Sequence, residues 1–278
     1  MHDLVHTKWW WLILAELFTL LSVGIQVVVW KLLLNVNGKE RKLGLLTSIF
    51  FQGIMFSHLL PGIAGGDAFR LLRTSPLVGK GSALSSIIAG RGIELVCVLA
   101  TALVAVFTLP SWFNQVRSIS VIAVCVALLV VYFCIFILEP PKVIADYLER
   151  TGHNKLVKMI ADTMAAYGDY KSNRTVFRDA VILNTAGWWL FLASIVCLAH
   201  SVSVNAGWNL FAVALPLSVF TALIPVSLNG VGVREGVFVW MLAHAGITPS
   251  DALAVAILID LQMIPAALLG ALMWLMDR

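Results

Sequence analysis

Apolar runs long enough to cross a bilayer recur along almost the whole chain. A membrane helix needs roughly 20 mainly apolar residues. Such runs extend from about Trp9 to Trp30, Leu43 to Ile63, Ala83 to Leu109, Ile119 to Leu138, Ala180 to His200, Leu210 to Leu228 and Ala252 to Met276, with a shorter one from Val233 to Ala245. A soluble globule could not hide this much apolar surface. The composition agrees: 60% of residues are hydrophobic and 12% charged, against about 25% charged in a soluble domain. A soluble enzyme, a secreted disulfide scaffold and a disordered chain are excluded. What remains is an all-α integral membrane protein, a polytopic helical bundle.

The net charge of +4 is too small to point to nucleic acid. Cys97, Cys125, Cys134 and Cys197 lie inside apolar stretches and read as small buried hydrophobes. His2 and His6 have no third ligand beside them, so no metal is expected, and no cofactor. Basic residues cluster after the first run (Lys31, Lys39, Arg41, Lys42) and between Glu139 and Asp179. Positive-inside reasoning places both segments in the cytoplasm and the N-terminus outside. Within the second segment, apolar residues at helical spacing suggest one or two amphipathic helices.

Two segments resemble each other. Leu59 to Arg70 aligns without gaps with Leu223 to Arg234, so that Pro61 meets Pro225, Gly66 meets Gly230 and Arg70 meets Arg234. Each follows an apolar run and precedes a helical one. By the charge argument they are entered from opposite sides of the membrane, the expectation for inverted repeats. The organisation predicted is a single domain over 1–278, with repeat one at about 9–138, an amphipathic connector at about 139–178 and repeat two at about 179–278. Broken backbone in hydrocarbon leaves unpaired polar groups that cost several kcal/mol each. Breaks at Pro61, Gly65 and Gly66, and at Pro225, Gly230 and Gly232, therefore predict broken, re-entrant helices around a central cavity.

Asp67 and Asn229 suit N-caps of the returning helices. Helix N-termini attract anions, and Arg70 and Arg234 stand within the first turns with guanidinium forks that pair well with phosphate. Glu235 follows Arg234 directly. Arg91 and Glu94 are spaced to pair on one helix face. Charge at mid-membrane costs about 2.5–3.5 kcal/mol per residue on insertion scales, so Arg91, Glu94 and Asp260 should face the interior. Asp260 lacks a partner in its own turn, which suggests proton coupling or a pair with Arg91. Glu16 and Gln26 are weaker candidates. Trp9 to Trp11 and the pair Trp188 and Trp189 read as interface anchors.

The stretch Pro-x-x-x-Gly-Gly-Asp-x-x-Arg (Pro61 to Arg70), Ala-x-Arg-x-x-Glu (Ala89 to Glu94) and Pro-x-Ser-x-Asn-Gly-x-Gly-x-Arg-Glu (Pro225 to Glu235) resemble the lysylphosphatidylglycerol synthase transmembrane-region family, also called the flippase-like domain family. The resemblance runs from about Trp9 to Met276. It implies a bacterial or archaeal cytoplasmic-membrane protein, the transport half of a system in which a separate domain modifies the lipid. The expected function is a flippase, not an enzyme, for a lipid with an anionic phosphate headgroup, with Asp67, Arg70, Arg91, Asn229, Arg234 and Glu235 as binding residues. Two alternatives stay open: a non-catalytic membrane partner of a lipid- or glycan-modifying enzyme, and an intramembrane enzyme using Asp67.

Overall fold

The computed structural model describes residues 8–36, 40–59, 65–109, 170, 173–222 and 232–277. Among them there are helices and no strands: α1 (Trp9–Leu34), α2 (Leu43–Leu59), α3 (Gly65–Val78), α4 (Lys80–Thr108), α5 (Arg174–Ser201), α6 (Trp208–Ala222), α7 (Val233–His244), α8 (Pro249–Leu261) and α9 (Ile264–Met276). The apolar run at Ile119 to Leu138 and the amphipathic stretch after it lie outside the described residues, as do Pro61, Pro225, Asn229 and Gly230.

Four stretches are long and apolar enough to span a membrane: Trp9–Leu34, Lys80–Thr108, Arg174–Ser201 and Pro249–Met276. At 1.5 Å per residue the shortest of them is about 39 Å long, more than the roughly 30 Å of hydrocarbon it must cross. Their outward faces are apolar as well. Ile13, Leu17 and Leu21 are exposed on one face of α1, and Leu268, Leu272 and Leu275 are exposed on α9. Stripes of this kind fit a lipid surround and not water. The chain is an all-helical, polytopic integral membrane protein.

Two boundaries differ from the sequence reading. α5 begins at Arg174, six residues ahead of the apolar run, because nothing in Arg174 to Asp179 breaks a helix. The last run is two helices interrupted at Gln262 and Met263. Pro265, within the first turn of α9, cannot donate to the preceding turn and crowds it.

α1 and α5 form the most extensive pair in the bundle, tied by a hydrogen bond from Ser22 Oγ to the Gly187 carbonyl of 2.8 Å. α9 packs along α2, where Gln52 Nε2 donates to Asp277 Oδ2 at 2.6 Å. One core cluster gathers α4 to α8 around the fully buried Phe211, and another joins α1, α2 and α9 around Trp30, Ile49 and Ala266. α3 folds back along α2 as a helical hairpin: Phe56 and Phe69 stack with centroids 4.4 Å apart. Gly66 makes this approach possible. A Cβ there would collide with the Ser57 hydroxyl and the Gly53 carbonyl.

Candidate functional site

The hairpin brings the first turns of α3 under α4. Asp67 was expected to cap the returning helix, but α3 begins at Gly65, which leaves Asp67 inside the first turn with its carboxylate turned to two arginines. Arg70 Nη1 donates to its Oδ1 at 3.1 Å. Arg91 donates through Nε to Oδ2 at 2.9 Å and through Nη2 to Oδ1 at 3.2 Å, a two-pronged fork. Arg91 Nη1 also donates to Glu94 Oε2 at 2.9 Å, the pair expected from their spacing. Two guanidinium and two carboxylate groups thus make a neutral cluster.

Arg70 is only 9% exposed. Its guanidinium carbon lies 4.2 Å from the ring centre of Trp30 and 4.4 Å from that of Phe50. Cation–π attraction offsets part of the cost of burying the charge. Trp30 is in turn fixed to α4, donating from Nε1 to Ser86 Oγ at 3.2 Å.

This cluster lines a cavity of about 230 Å³. Its walls come from Ser22 and Gln26 on α1, Phe50, Gly53 and Ser57 on α2, Gly66, Asp67 and Arg70 on α3, Arg91 and Glu94 on α4, Asn184, Trp188 and Phe191 on α5, and Met263. Sequence reasoning named the four charged residues and Gln26 but missed Asn184. Its signal was a lone amide in an apolar run, Val181 to Leu183 before it and Ala186 after. Trp188 was read as an interface anchor. The structure corrects this: Trp188 lines the cavity, and only its neighbour Trp189 is exposed. Among the described residues, three that line the cavity carry a buried donor atom without an acceptor: Arg70 Nε, Asn184 Nδ2 and Trp188 Nε1. An unmet buried donor costs about 1–3 kcal/mol.

The second arginine is elsewhere. Arg234 stands in the first turn of α7 and donates from Nη2 to Glu235 Oε1 at 3.2 Å and to Asp260 Oδ1 on α8. Glu235 Oε2 accepts the Gly232 N–H at 2.6 Å, closing the start of the helix. Gly232 holds φ at +85°, a left-handed conformation that suits glycine. Gly232 therefore takes the cap position that was expected of Asn229. Asp260 was expected to pair with Arg91. It pairs with Arg234 instead, since Arg91 is already held by Asp67 and Glu94. Among the described residues, those that line the cavity of Arg70 do not include Arg234, Glu235 or Asp260.

Fold and site together define a class: a polytopic helical membrane protein with a cavity among its helices that charged side chains help to line. More particularly, the chain belongs to the family described as lysylphosphatidylglycerol synthase TM region, whose sequence profile matches residues 1–272. It is also similar to a UPF0104 membrane protein of Methanothermobacter thermautotrophicus, 21% identical over 252 residues that cover 82% of this chain and 72% of the relative. No solved structure matches the chain.

Proposed function

We propose that the protein is a lipid transporter that moves a phosphate-bearing lipid, with a phospholipid or polyprenyl-phosphate headgroup, across the cytoplasmic membrane of a prokaryote. The observation that carries this reading is the pair of arginines, the buried Arg70 and its neighbour Arg91, that line one cavity among the helices. Such a wall is completed by an acceptor-rich, anionic group, and phosphate is the anion that membrane lipids offer. The cavity is partly open and lies among apolar helices whose outer faces suit acyl chains, so a headgroup can enter while its tails stay in lipid. Transport also fits Asp67 better than catalysis does. Its carboxylate accepts three guanidinium N–H bonds, which leaves it a poor general base.

The α2–α3 hairpin supports a re-entrant first break. In the second half, α6, α7 and α8 pack in the same sequence as α2, α3 and α4, which supports an inverted repeat. A second reading, a membrane partner of a lipid-modifying enzyme, is favoured by the internal pairing of every charge in both clusters.

Mass spectrometry of co-purified lipid separates the two. The transporter reading expects one phosphate-bearing lipid enriched on the wild type and lost from Arg70→Ala. Bulk membrane lipid on both, with equally stable protein, would overturn it in favour of the partner reading.

A further inference from the structure

The two halves of the last apolar run pack on different partners. α8 packs against α7 and α5, whereas α9 packs along α2. The α9 contact is tight: a Cβ at Gly270 would collide with the Phe51 carbonyl, so the two backbones meet there. The foot of α9 is tied through Asp277, whose Oδ2 accepts from Ser48 Oγ at 3.1 Å and from Gln52 Nε2 at 2.6 Å and lies 3.8 Å from Arg73 Nη2 on α3. Phe56 of α2 meets both Phe69 of α3 and Trp274 of α9. These contacts join α2, α3 and α9 into one unit.

The rest of the bundle is held separately. At the break, Gln262 Oε1 accepts from Thr19 Oγ1 of α1 at 3.1 Å and from Ser194 Oγ of α5 at 3.2 Å. The Gln262 N–H still donates to the Leu258 carbonyl at 3.0 Å. The end of α8 is therefore pinned to the α1–α5 pair, and Pro265 then takes one rung out of the helix as α9 begins. The link from α3 to α4 is a single residue, Gly79, with φ at +90° and no atom near where a Cβ would stand. Joints of this kind, at the ends of elements, are where large backbone rotations are absorbed. Among the described residues, one ion pair crosses from the unit to its surroundings, Asp67 on α3 to Arg91 on α4. The packing of α2 on α1 is apolar, Leu46 and Ile49 in one core with Val23 and Val27, and apolar contact sets no direction. The cavity straddles the same boundary. Gly53, Asp67 and Arg70 line it from the unit, Ser22, Gln26 and Arg91 from the rest, and Met263 lines it from the break.

We propose that α2, α3 and α9 form a gate that turns about Gly79 and the break at Gln262 and Met263, latched across the cavity by Asp67 and Arg91. Opening it separates the wall that carries Arg70 from the wall that carries Arg91 and widens the cavity between them. Asp277 makes α9 and the hairpin move together, and Gln262 keeps α8 still. That the motion serves transport rests on the function proposed above; the motion itself does not.

The test is pulsed electron-spin distance measurement on the full chain in detergent, with the four native cysteines replaced by alanine. One label pair crosses the boundary, Met276→Cys on α9 with Arg178→Cys on α5; the other lies within the unit, Leu45→Cys on α2 with Leu268→Cys on α9. All four positions are exposed. The crossing pair is expected to give a broader distribution than the inner pair, with a second, longer distance. Asp67→Asn, which weakens the latch, should raise the population at that longer distance about two- to fivefold, the range for a partly exposed ion pair. Adding Pro265→Ala to Asp67→Asn lets the helix run on through the break and should remove the second distance. A crossing pair as narrow as the inner pair in both wild type and Asp67→Asn would overturn the gate. Equal broadening of the two pairs would overturn it as well, because the unit would then not move as one. An unchanged distribution on adding Pro265→Ala would overturn the hinge. None of these readouts involves lipid, so each of those failures leaves the headgroup reading to the co-purification test.

Discussion

The two arginine clusters are built alike and end differently. α3 and α7 both start at a glycine-rich break, and both pack against the helix before and the helix after. In both, an ion pair joins the short helix to its successor, but the signs are exchanged: Asp67 on α3 reaches Arg91 on α4, whereas Arg234 on α7 reaches Asp260 on α8. The first cluster is neutral, its Arg70 is framed by Trp30 and Phe50, and it lines a cavity. The second carries one carboxylate more than it has arginines, is more than a third exposed at Arg234 and Asp260, and holds its arginine through one nitrogen shared by two carboxylates. An arginine behind a Gly-rich break is therefore not in itself a ligand site. The distinction lies in what surrounds it: a cavity and two aromatic rings at the buried Arg70, a pair of carboxylates at the partly exposed Arg234.

The largest consequence concerns the arginines themselves. In proteoliposomes carrying a fluorescent phospholipid, Arg70→Ala is expected to cut headgroup-dependent lipid movement by about tenfold or more, the scale of one lost charge-assisted contact. Arg70→Lys should restore little of it, because an ammonium keeps the charge but neither the fork nor the flat face that lies against Trp30 and Phe50. Arg234→Ala should stay within about twofold of wild type. Equal losses at the two arginines would break the comparison and return both to one shared site.

The breaks should differ next, in stability. Gly66→Val puts a branched side chain against the Ser57 hydroxyl and the Gly53 carbonyl, contacts between two helix backbones that have no room to yield. A cost of about 1–3 kcal/mol is expected. Gly232→Ala meets no atom and suffers only the left-handed backbone, about 1–2 kcal/mol. Thermal unfolding in detergent should rank Gly66→Val below Gly232→Ala and both below wild type. The reverse order would mean that the second hairpin is the tighter one.

Much of this was legible in the sequence, for a definite reason. Membrane length and apolarity fix the long helices, the cost of charge in hydrocarbon marks Arg91, Glu94 and Asp260, and the glycine-rich stretch ahead of a helix marks Asp67 and Arg70. Arg91 and Glu94 are one turn apart, so their pairing follows from helical spacing. Asp260 was given the wrong partner because its true one is 26 residues away across two helix ends, and no periodicity reports such a crossing. The break before α9 had its signal in Pro265, hidden within an otherwise continuous apolar run. Asn184 and Trp188 were missed for a subtler reason: a single amide or indole in a span is chemically ordinary until the fold shows that its donor has no acceptor. The aromatic frame of Arg70 depends on two different helices and left no mark in the sequence.

The smallest effect discriminates most finely, because it moves a different quantity in each cluster. Asp67 accepts from both arginines at once and so occupies the place between them that a phosphate oxygen would need. Asp67→Asn removes that competing charge and leaves the cavity with two guanidinium groups against one carboxylate. Retention of phosphate-bearing lipid during purification should rise two- to threefold, a shift of about half a kcal/mol. Asp260→Asn should leave lipid retention unchanged and lower the unfolding midpoint slightly, since it weakens a partly exposed pair and nothing else. If Asp67 serves only to hold the arginines in place, Asp67→Asn will instead lose lipid as Arg70→Ala does. The sign of that one change therefore decides whether the carboxylate between the arginines stands in for the ligand or braces the site that receives it.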